Sequence, residues 1–433
     1  MREMKNSGVE WLGKIPNHWM IRRIKNLFEL RNEKNYEALE DVNLISLYTD
    51  KGVVQHSDLT ETTGNKAVTA DGYKIVKEDD IVVNIILCWM GAVGRSAYNG
   101  VTSPAYDVYK PLHDTNSKYY HYLFRTSQFN GECYRYGRGI MLMRWRTYST
   151  EFRAISVPLP PEDEQERIVE FLDKKLDDVD RLIGNVQTQI EKLKAYKQSL
   201  ITEVVTKGLD STVPMKNSGV EWIGEIPEKW SVVPLKSKFS FGKGLPITKD
   251  DLVEEGIPVI SYGQIHAKWN TGVTTHENLL RYVNESYLES NSSALVKKGD
   301  LIMADTSEDR DGCGNCAYID IDETVFAGYH TIILNALNSE NNKYFAYLFL
   351  TDNWRSQIRK AVSGVKLFSI SRRILGCVSV LVPNNAEDIV NYLDAKCAYI
   401  DRLIAIKQAK IEKLEQYKRS LIYEYVTGKK EVS

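Results

Sequence analysis

The sequence predicts two mixed α/β (α+β) domains in pseudo-symmetric tandem, separated by two long α-helices that form an antiparallel intramolecular coiled coil. Three observations carry this expectation. The chain repeats its own segments at a nearly constant offset. Each half holds one long heptad-patterned stretch. Between these lie short β-rich runs punctuated by Gly and Asp. Self-similarity of this kind marks duplicated structural units, so each half reads as arm, variable domain and helix. The expected boundaries are 1–159 for the first arm and domain and 160–208 for the first spacer helix. The repeated arm and second domain follow at 209–383, then the second spacer helix and tail at 384–433.

The arms are the clearest repeat. Residues 4–19 read MKNSGVEWLGKIPNHW and residues 215–230 read MKNSGVEWIGEIPEKW, identical at twelve of sixteen positions. The helices repeat as DRLIGNVQTQIEKLKAYKQSLITEVVTK at 180–207 and DRLIAIKQAKIEKLEQYKRSLIYEYVTG at 401–428, identical at seventeen of 28. The middles diverge, leaving traces such as YLFRT at 122–126 against YLFLT at 347–351. A common scaffold carrying two different readers is the simplest account.

The variable regions contain runs such as DIVVNIILCW (80–89), GIPVISYG (256–263) and DLIMA (300–304), with helical stretches near 116–130 and 341–360. β-branched runs bounded by turn residues read as strands. In the helices, one heptad position falls on Val169, Leu176, Ile183, Ile190, Lys197 and Val204, and a second on Leu172, Val179, Val186, Leu193 and Leu200. The second helix repeats the pattern through Leu393, Ile400, Leu414 and Leu421, with Lys407 and Lys418 at seam positions. Those lysines, with Lys197, either fix the helix register or snorkel to solvent. Pro160 and Pro161 precede an acidic first turn, Asn385 with Asp388 resembles a capping box, and Gly208 and Gly428 stand where a C-terminal glycine belongs. The first helix would be about 69 Å long at 1.5 Å per residue. Residues 162–180 hold nine acids and three bases, and 181–208 two acids and five bases. An antiparallel partner of the same pattern matches acid to base, which predicts pairing of the two helices with the variable domains held at opposite ends.

The 433 residues are 43% hydrophobic and 26% charged, with a formal charge of -2. This excludes a uniformly basic DNA-coating protein and an acidic disordered chain, but the sum hides local patches. Residues 119–153 hold six Arg and two acids, and 343–373 hold seven bases and one acid. Both stretches are laced with aromatics: Tyr134, Tyr136, Trp145 and Tyr148 in the first, and Tyr344, Tyr347, Trp354 and Phe368 in the second. A lone patch of this kind reads as a solvated basic face. Its recurrence in both halves favours nucleic-acid binding. The opening MREMKNSGVEW has no apolar h-region, the longest apolar run (81–93) is short for a membrane span, and the six cysteines are sparse. A reducing cytoplasm is the expected setting.

Enzyme motifs are missing. There is no GxxxxGK(S/T), no HExxH, no GxSxG and no βαβ unit with GxGxxG. No cofactor and no metal are expected. Four look-alikes are set aside: Ser103-Pro104-Ala105-Tyr106, which lacks the second proline of an amino-methyltransferase loop; Asp173-Lys174-Lys175 and Asp394-Ala395-Lys396, which have nuclease spacing but lie on the helices; and the lone Cys313-Gly314-Asn315-Cys316.

The repeated arm, VPLPPEDEQERIVEFLD at 157–173 and the two DRLI…IEKL helices resemble the specificity subunit of type I restriction-modification systems. Further matches are WMGAVGRSAYNGVTSPAYDVY at 89–109 and FGKGLPITKDDLVEEGIPVISYGQIH at 241–266. The second helix departs from the pattern, starting through VPNNAEDIVNYLD at 382–394. The resemblance implies two target-recognition domains, each reading one half of a split double-stranded DNA site. It implies helices that act as spacer and as docking surface for two DNA methyltransferase subunits, with restriction (translocase) subunits joining through these. It also implies no catalysis by this chain. The residues expected at DNA are Trp89, Arg95, Tyr106, Arg135, Arg138, Arg144 and Arg146 in the first half. In the second they are Lys243, Gln264, Arg310, Arg359, Lys366 and Arg372. Leu172, Val179, Leu193, Leu200, Leu393, Ile400, Leu414 and Leu421 are expected to form the coiled coil and its docking surface.

Overall fold

The computed structural model describes residues 2–58, 69–112, 115–140, 145–338, 341–364 and 366–432. The chain divides into two compact units, one made of residues 1–187 with 408–433 and the other of residues 188–407. Each therefore contains an arm, a domain and parts of both long helices, which run Glu162–Lys207 and Ala386–Val426.

The two units share one sheet. In the first, Phe28–Leu30, Tyr106–Pro111, Ile81–Asn84 and Val93–Arg95 form four antiparallel strands in that order. In the second, Phe239–Lys243, Thr331–Ala336, Leu301–Ala304 and Cys316–Tyr318 take the same order and the same directions. Beside this common sheet the units differ. The first adds two-stranded pairs, Ile45–Tyr48 with Gly52–Gln55 and Lys74–Val76 with Gly100–Thr102. The second adds a five-stranded sheet containing one parallel pair, Ile257–Ile260 with Val325–Ala327.

A helix pair covers each common sheet: Ser117–Phe124 and Ser127–Tyr136 in the first unit, Lys343–Phe349 and Asp352–Ala361 in the second. The second member of each pair starts at a threonine. The Thr126 hydroxyl accepts from Phe129 N and the Thr351 hydroxyl from Trp354 N, each at 3.3 Å, satisfying an otherwise free first-turn donor. The shared YLFxT sequence encodes this junction. Behind it lie buried aromatics, Phe28, Tyr120, Phe124 and Phe129 in one core and Phe239, Phe345, Phe349 and Trp354 in the other.

The long helices pair antiparallel in both units. In the first, Phe171 packs against Tyr425 with tilted rings and centroids 4.5 Å apart, and Lys418 Nζ donates to Asp180 at 2.6 Å. In the second, Lys407 reaches Gln189 at 2.5 Å and Lys197 Nζ donates to Asp401 at 2.7 Å. The seam lysines thus bridge the helices, and Asp180–Lys418 and Asp401–Lys197 are the same pair repeated at an offset of 221. Leu172, Val179, Leu200, Leu393, Ile400 and Leu421 are buried, and Leu193 and Leu414 are half-buried.

The helix ends follow the sequence with one correction. Gly208 and Gly428 have φ +81° and +70°. A Cβ on Gly428 would lie 2.5 Å from Pro16 Cδ, so the helix end also needs glycine for the first arm to seat. The expected Asn385–Asp388 capping box does not form. Asn385 Oδ1 is buried without a hydrogen-bond partner, because its side chain lines a cavity beside Trp230 rather than turning back on its own helix.

His121 lies under the first domain's sheet edge, where its Nδ1 accepts from Arg95 N at 3.1 Å. Burial, and then the charges of Arg125, Arg95 and Lys118, push its imidazole from 6.5 down to about 3. Between those values the unfolded chain binds a proton that the folded chain refuses, so stability falls as pH falls. Urea unfolding of the wild-type chain should lose up to about 1.4 kcal/mol per pH unit through this group on acidification below about 6.5, and His121→Asn should flatten that dependence. An unchanged slope in the variant would remove His121 as the cause. In the same assay Leu172→Ala or Leu393→Ala should cost about 2–5 kcal/mol. Lys418→Met should cost about 1 kcal/mol or less, because its ion pair is solvent-accessible. The reverse order would mean that charge, not apolar burial, holds the helices.

Candidate nucleic-acid interface

Each domain is tied to its long helix by one aspartate. Asp173 accepts from Lys118 Nζ and from the Tyr122 hydroxyl, both at 2.5 Å. Asp394 accepts from Lys343 Nζ at 2.8 Å and from the Tyr347 hydroxyl at 2.6 Å. Burial, then the aspartate partner, raises both phenols above their ordinary range, so they stay protonated donors. Beside each clamp a buried tyrosine reaches a helix carbonyl, Tyr119 to Val426 at 2.6 Å and Tyr344 to Val205 at 2.8 Å. The aspartates with nuclease-like spacing therefore have a structural task. Among the described residues no cluster of three or more His, Cys, Asp or Glu is placed to hold a metal. Burial pushes the Cys316 thiol up to about 12, away from a thiolate ligand.

In the first domain the structure brings six expected residues or their flanks together. Trp89 packs on Tyr134 at 5.7 Å, and Tyr134 stacks on Trp145 at 4.9 Å. Gly137 permits this, since a Cβ there would lie 2.5 Å from Trp145 Nε1. Around the aromatic ladder stand Arg135, Arg138 and Arg146. Arg135 is held by Glu132 at 2.6 Å and lies over the Tyr136 ring. Arg138 is held by Glu151 at 3.0 Å and lies over Tyr148. Arg138 and Arg146 exchange backbone hydrogen bonds at 2.9 and 3.0 Å. A carboxylate on one side fixes the Arg135 and Arg138 guanidinium groups while both side chains stay exposed, an arrangement suited to the planar edges of guanine or to phosphate.

Two other expected residues stand apart from this group. Arg95 is paired with Asp79 and Glu78 at the far end of its hairpin. Tyr106 is half-buried on its strand, and its Ser-Pro-Ala approach is a turn closed by Tyr106 N on Ser103 O at 3.0 Å. Arg144 lies outside the described residues. Of the other patch cations, Arg125 is structural, donating to the carbonyls of Val93, Thr49 and Asp50 at 2.8–3.2 Å.

A cleft of about 600 Å³ lies in the second domain, and its lining includes none of the six expected residues. It is lined by Tyr262, His266, Thr306, Asp309, Asn315, His330 and Arg355 among others. Arg310 is exposed over the Phe368 ring, and Lys366 is exposed beside Leu367, which lines the cleft. Arg359 binds Asp352 at 3.1 Å and the Asp311 carbonyl at 2.9 Å. Gln264 spends its side-chain oxygen on Ser261 N at 3.2 Å, leaving its amino group. Lys243 is exposed opposite Ile332, two residues from His330. Arg372 is exposed at the start of a short helix and lines no part of the cleft. Arg355 is structural, donating to Phe349 O at 2.7 Å.

Sequence reading missed the floor of this cleft. His266 Nε2 donates to Thr306 O at 2.9 Å while its Nδ1 accepts from the Asn315 amide at 3.0 Å. His330, at φ +53°, faces Asp305 at 3.4 Å. The GYH triplet at 328–330 is the one local signal. Nothing in the sequence joins residues 262–266 to 305–315.

Comparison with known proteins follows this geometry. Residues 16–193 and 227–416 match the family described as Type I restriction modification DNA specificity domain. The type I restriction enzyme MjaVIII specificity subunit of Methanocaldococcus jannaschii is 24% identical over 428 residues, covering 96% of this chain and 94% of that protein. The putative MjaX specificity subunit of the same organism is 24% identical over 449 residues, covering 96% and 95%. Among solved structures, a chain from a study of assembly and conformational transition in a type I R-M system superposes with a TM-score of 0.69 at 13% identity. It covers 95% of this chain and 98% of that one. The HsdS subunit from Thermoanaerobacter tengcongensis gives 0.51 at 14% identity, with 96% and 98% covered. At these identities the two structures support the fold. The match over most of both halves settles the family: the chain belongs to the type I restriction-modification DNA specificity domain family, as a non-catalytic specificity subunit with two specificity domains.

Proposed function

We propose that the chain selects a bipartite site on double-stranded DNA, one half-site per domain, with boundaries near 1–159 and 209–383 for the two arm-and-domain segments. The observation that carries this is the pairing of an identical scaffold with unlike readers. The same four-stranded sheet and the same Asp-Lys-Tyr clamp recur, yet one domain displays an Arg-flanked aromatic ladder and the other a His- and Asn-lined cleft. Duplicated scaffolds with divergent surfaces serve to read two different sequences at a fixed separation.

The paired helices set that separation, roughly 10 base pairs centre to centre for readers on one face of a duplex. They also dock two methyltransferase subunits, through which restriction subunits join. Those partners bring the catalysis and its cofactors, in the cytoplasm where the DNA is. Most of the seam leucines are buried, so the docking contacts fall to exposed apolar residues off the seam, such as Tyr196, Tyr399, Ile406 and Tyr417. Among the described residues no helix is long and apolar enough to cross a membrane.

The reading is tested by sequencing the DNA that the assembled complex selects from a random pool. Arg135→Ala with Arg138→Ala should relax base preference at one half-site by about tenfold or more, and leave the other unchanged. Lys366→Ala should do the converse. Equal loss at both half-sites from either variant would assign these residues to phosphates or to folding.

A further inference from the structure

The two units differ where each long helix begins. In the first unit Glu164 sits nine residues before the clamp aspartate Asp173. Its carboxylate accepts from Trp19 Nε1 at 2.7 Å, pairs with His18 Nε2 at 2.8 Å and is bonded by Arg2. Trp19 is fully buried, so the carboxylate satisfies an indole N–H that has no water to use.

Counting back nine residues from the second clamp aspartate, Asp394, gives Asn385. Trp230 stands where the repeated arm places Trp19, and Lys229 stands where it places His18. The donors are kept and the carboxylate is lost. A cavity of about 390 Å³ lies there, lined by Trp230, Lys229, Lys207, Asn384 and Asn385 among others. Trp230 is 3% exposed and forms part of the cavity wall. Asn385 Oδ1 is buried without a partner, but as an acceptor it takes no part in holding an anion. Two acids, Asp210 and Glu228, also line the cavity, but Asp210 is spent on Thr212 N and Oγ1 at 2.8 and 2.6 Å.

We propose that this cavity is a binding site for a carboxylate group supplied from outside the chain. It is either a small carboxylate anion or the side chain of an Asp or Glu on a protein. The incoming carboxylate accepts from Trp230 Nε1 and the Asn385 amide, with the Lys229 and Lys207 ammonium groups supplying charge, as Glu164 does for the first arm. The site stands independently of which DNA the domains read.

The test follows the Trp230 indole N–H resonance in the full chain labelled with 15N-tryptophan, assigned through Trp230→Phe. Sodium acetate is titrated against sodium chloride at equal ionic strength. A blocked Gly-Glu-Gly peptide is titrated against Gly-Gln-Gly. A saturable shift with acetate assigns the site to free anions, and one with Gly-Glu-Gly alone assigns it to an acidic side chain. Asn385→Glu should reproduce the bound resonance without ligand, weaken either response about tenfold or more, and raise the thermal midpoint. The proposal is overturned by no saturable response to either carboxylate, by equal response to Gly-Gln-Gly, or by an unmoved Trp230 resonance in a folded Asn385→Glu chain.

Discussion

An apolar seam that neither long helix can bury alone is the constraint on which the rest of the molecule depends. Helices of 46 and 41 residues with a stripe of Leu, Ile and Val must find a partner for that stripe. In this chain the partner is supplied by duplication. Apolar burial supplies most of the free energy of pairing, and charge supplies the direction. A parallel partner would set the acidic start of one helix against the acidic start of its copy. The antiparallel arrangement instead gives Asp180 to Lys418 and Asp401 to Lys197. These pairs are partly exposed and individually weak, so their contribution is to register more than to stability.

The clamp aspartates tie each domain to this paired seam. A Lys–Asp–Tyr hydrogen-bond set on one side and a Tyr-to-carbonyl bond on the other fix the helix-pair face of each domain. The arms complete the attachment by packing Trp19 against Glu164 in the first unit and Trp230 against Gly208 in the second. Surfaces away from these attachments are free to diverge. That is where the units part company, with an arginine-flanked aromatic ladder in one and a cleft with a histidine and asparagine floor in the other. Conserved attachment and variable display within one chain are the structural form of a reader whose specificity changes without rebuilding its support.

Much of the architecture was legible because it is local or periodic. Heptads placed Leu172, Leu393 and their neighbours in the seam, acid–base segregation gave the antiparallel sense, and Gly208 and Gly428 marked the helix ends. The shared YLFxT stretch gave one helix junction in each half. What was not legible depends on residues distant in sequence. The expected Asn385 cap fails because a cavity beside Trp230, 155 positions earlier, takes its side chain. The cleft floor joins His266 to Thr306 and Asn315 across strands whose register no sequence pattern fixes. Charge counting found the Arg-rich stretches but not their division of labour: Arg125 and Arg355 face backbone carbonyls within the fold, whereas Arg135, Arg138 and Arg310 face outward.

The central proposal is that one chain carries two equivalent supports with two unlike readers. Sequencing the methylated positions in the genome of a host that carries this chain with its methyltransferase partner tests it most directly. The account predicts a split motif, two short unlike half-sites separated by an unread gap of constant length. A single contiguous motif, or half-sites at variable spacing, would contradict it.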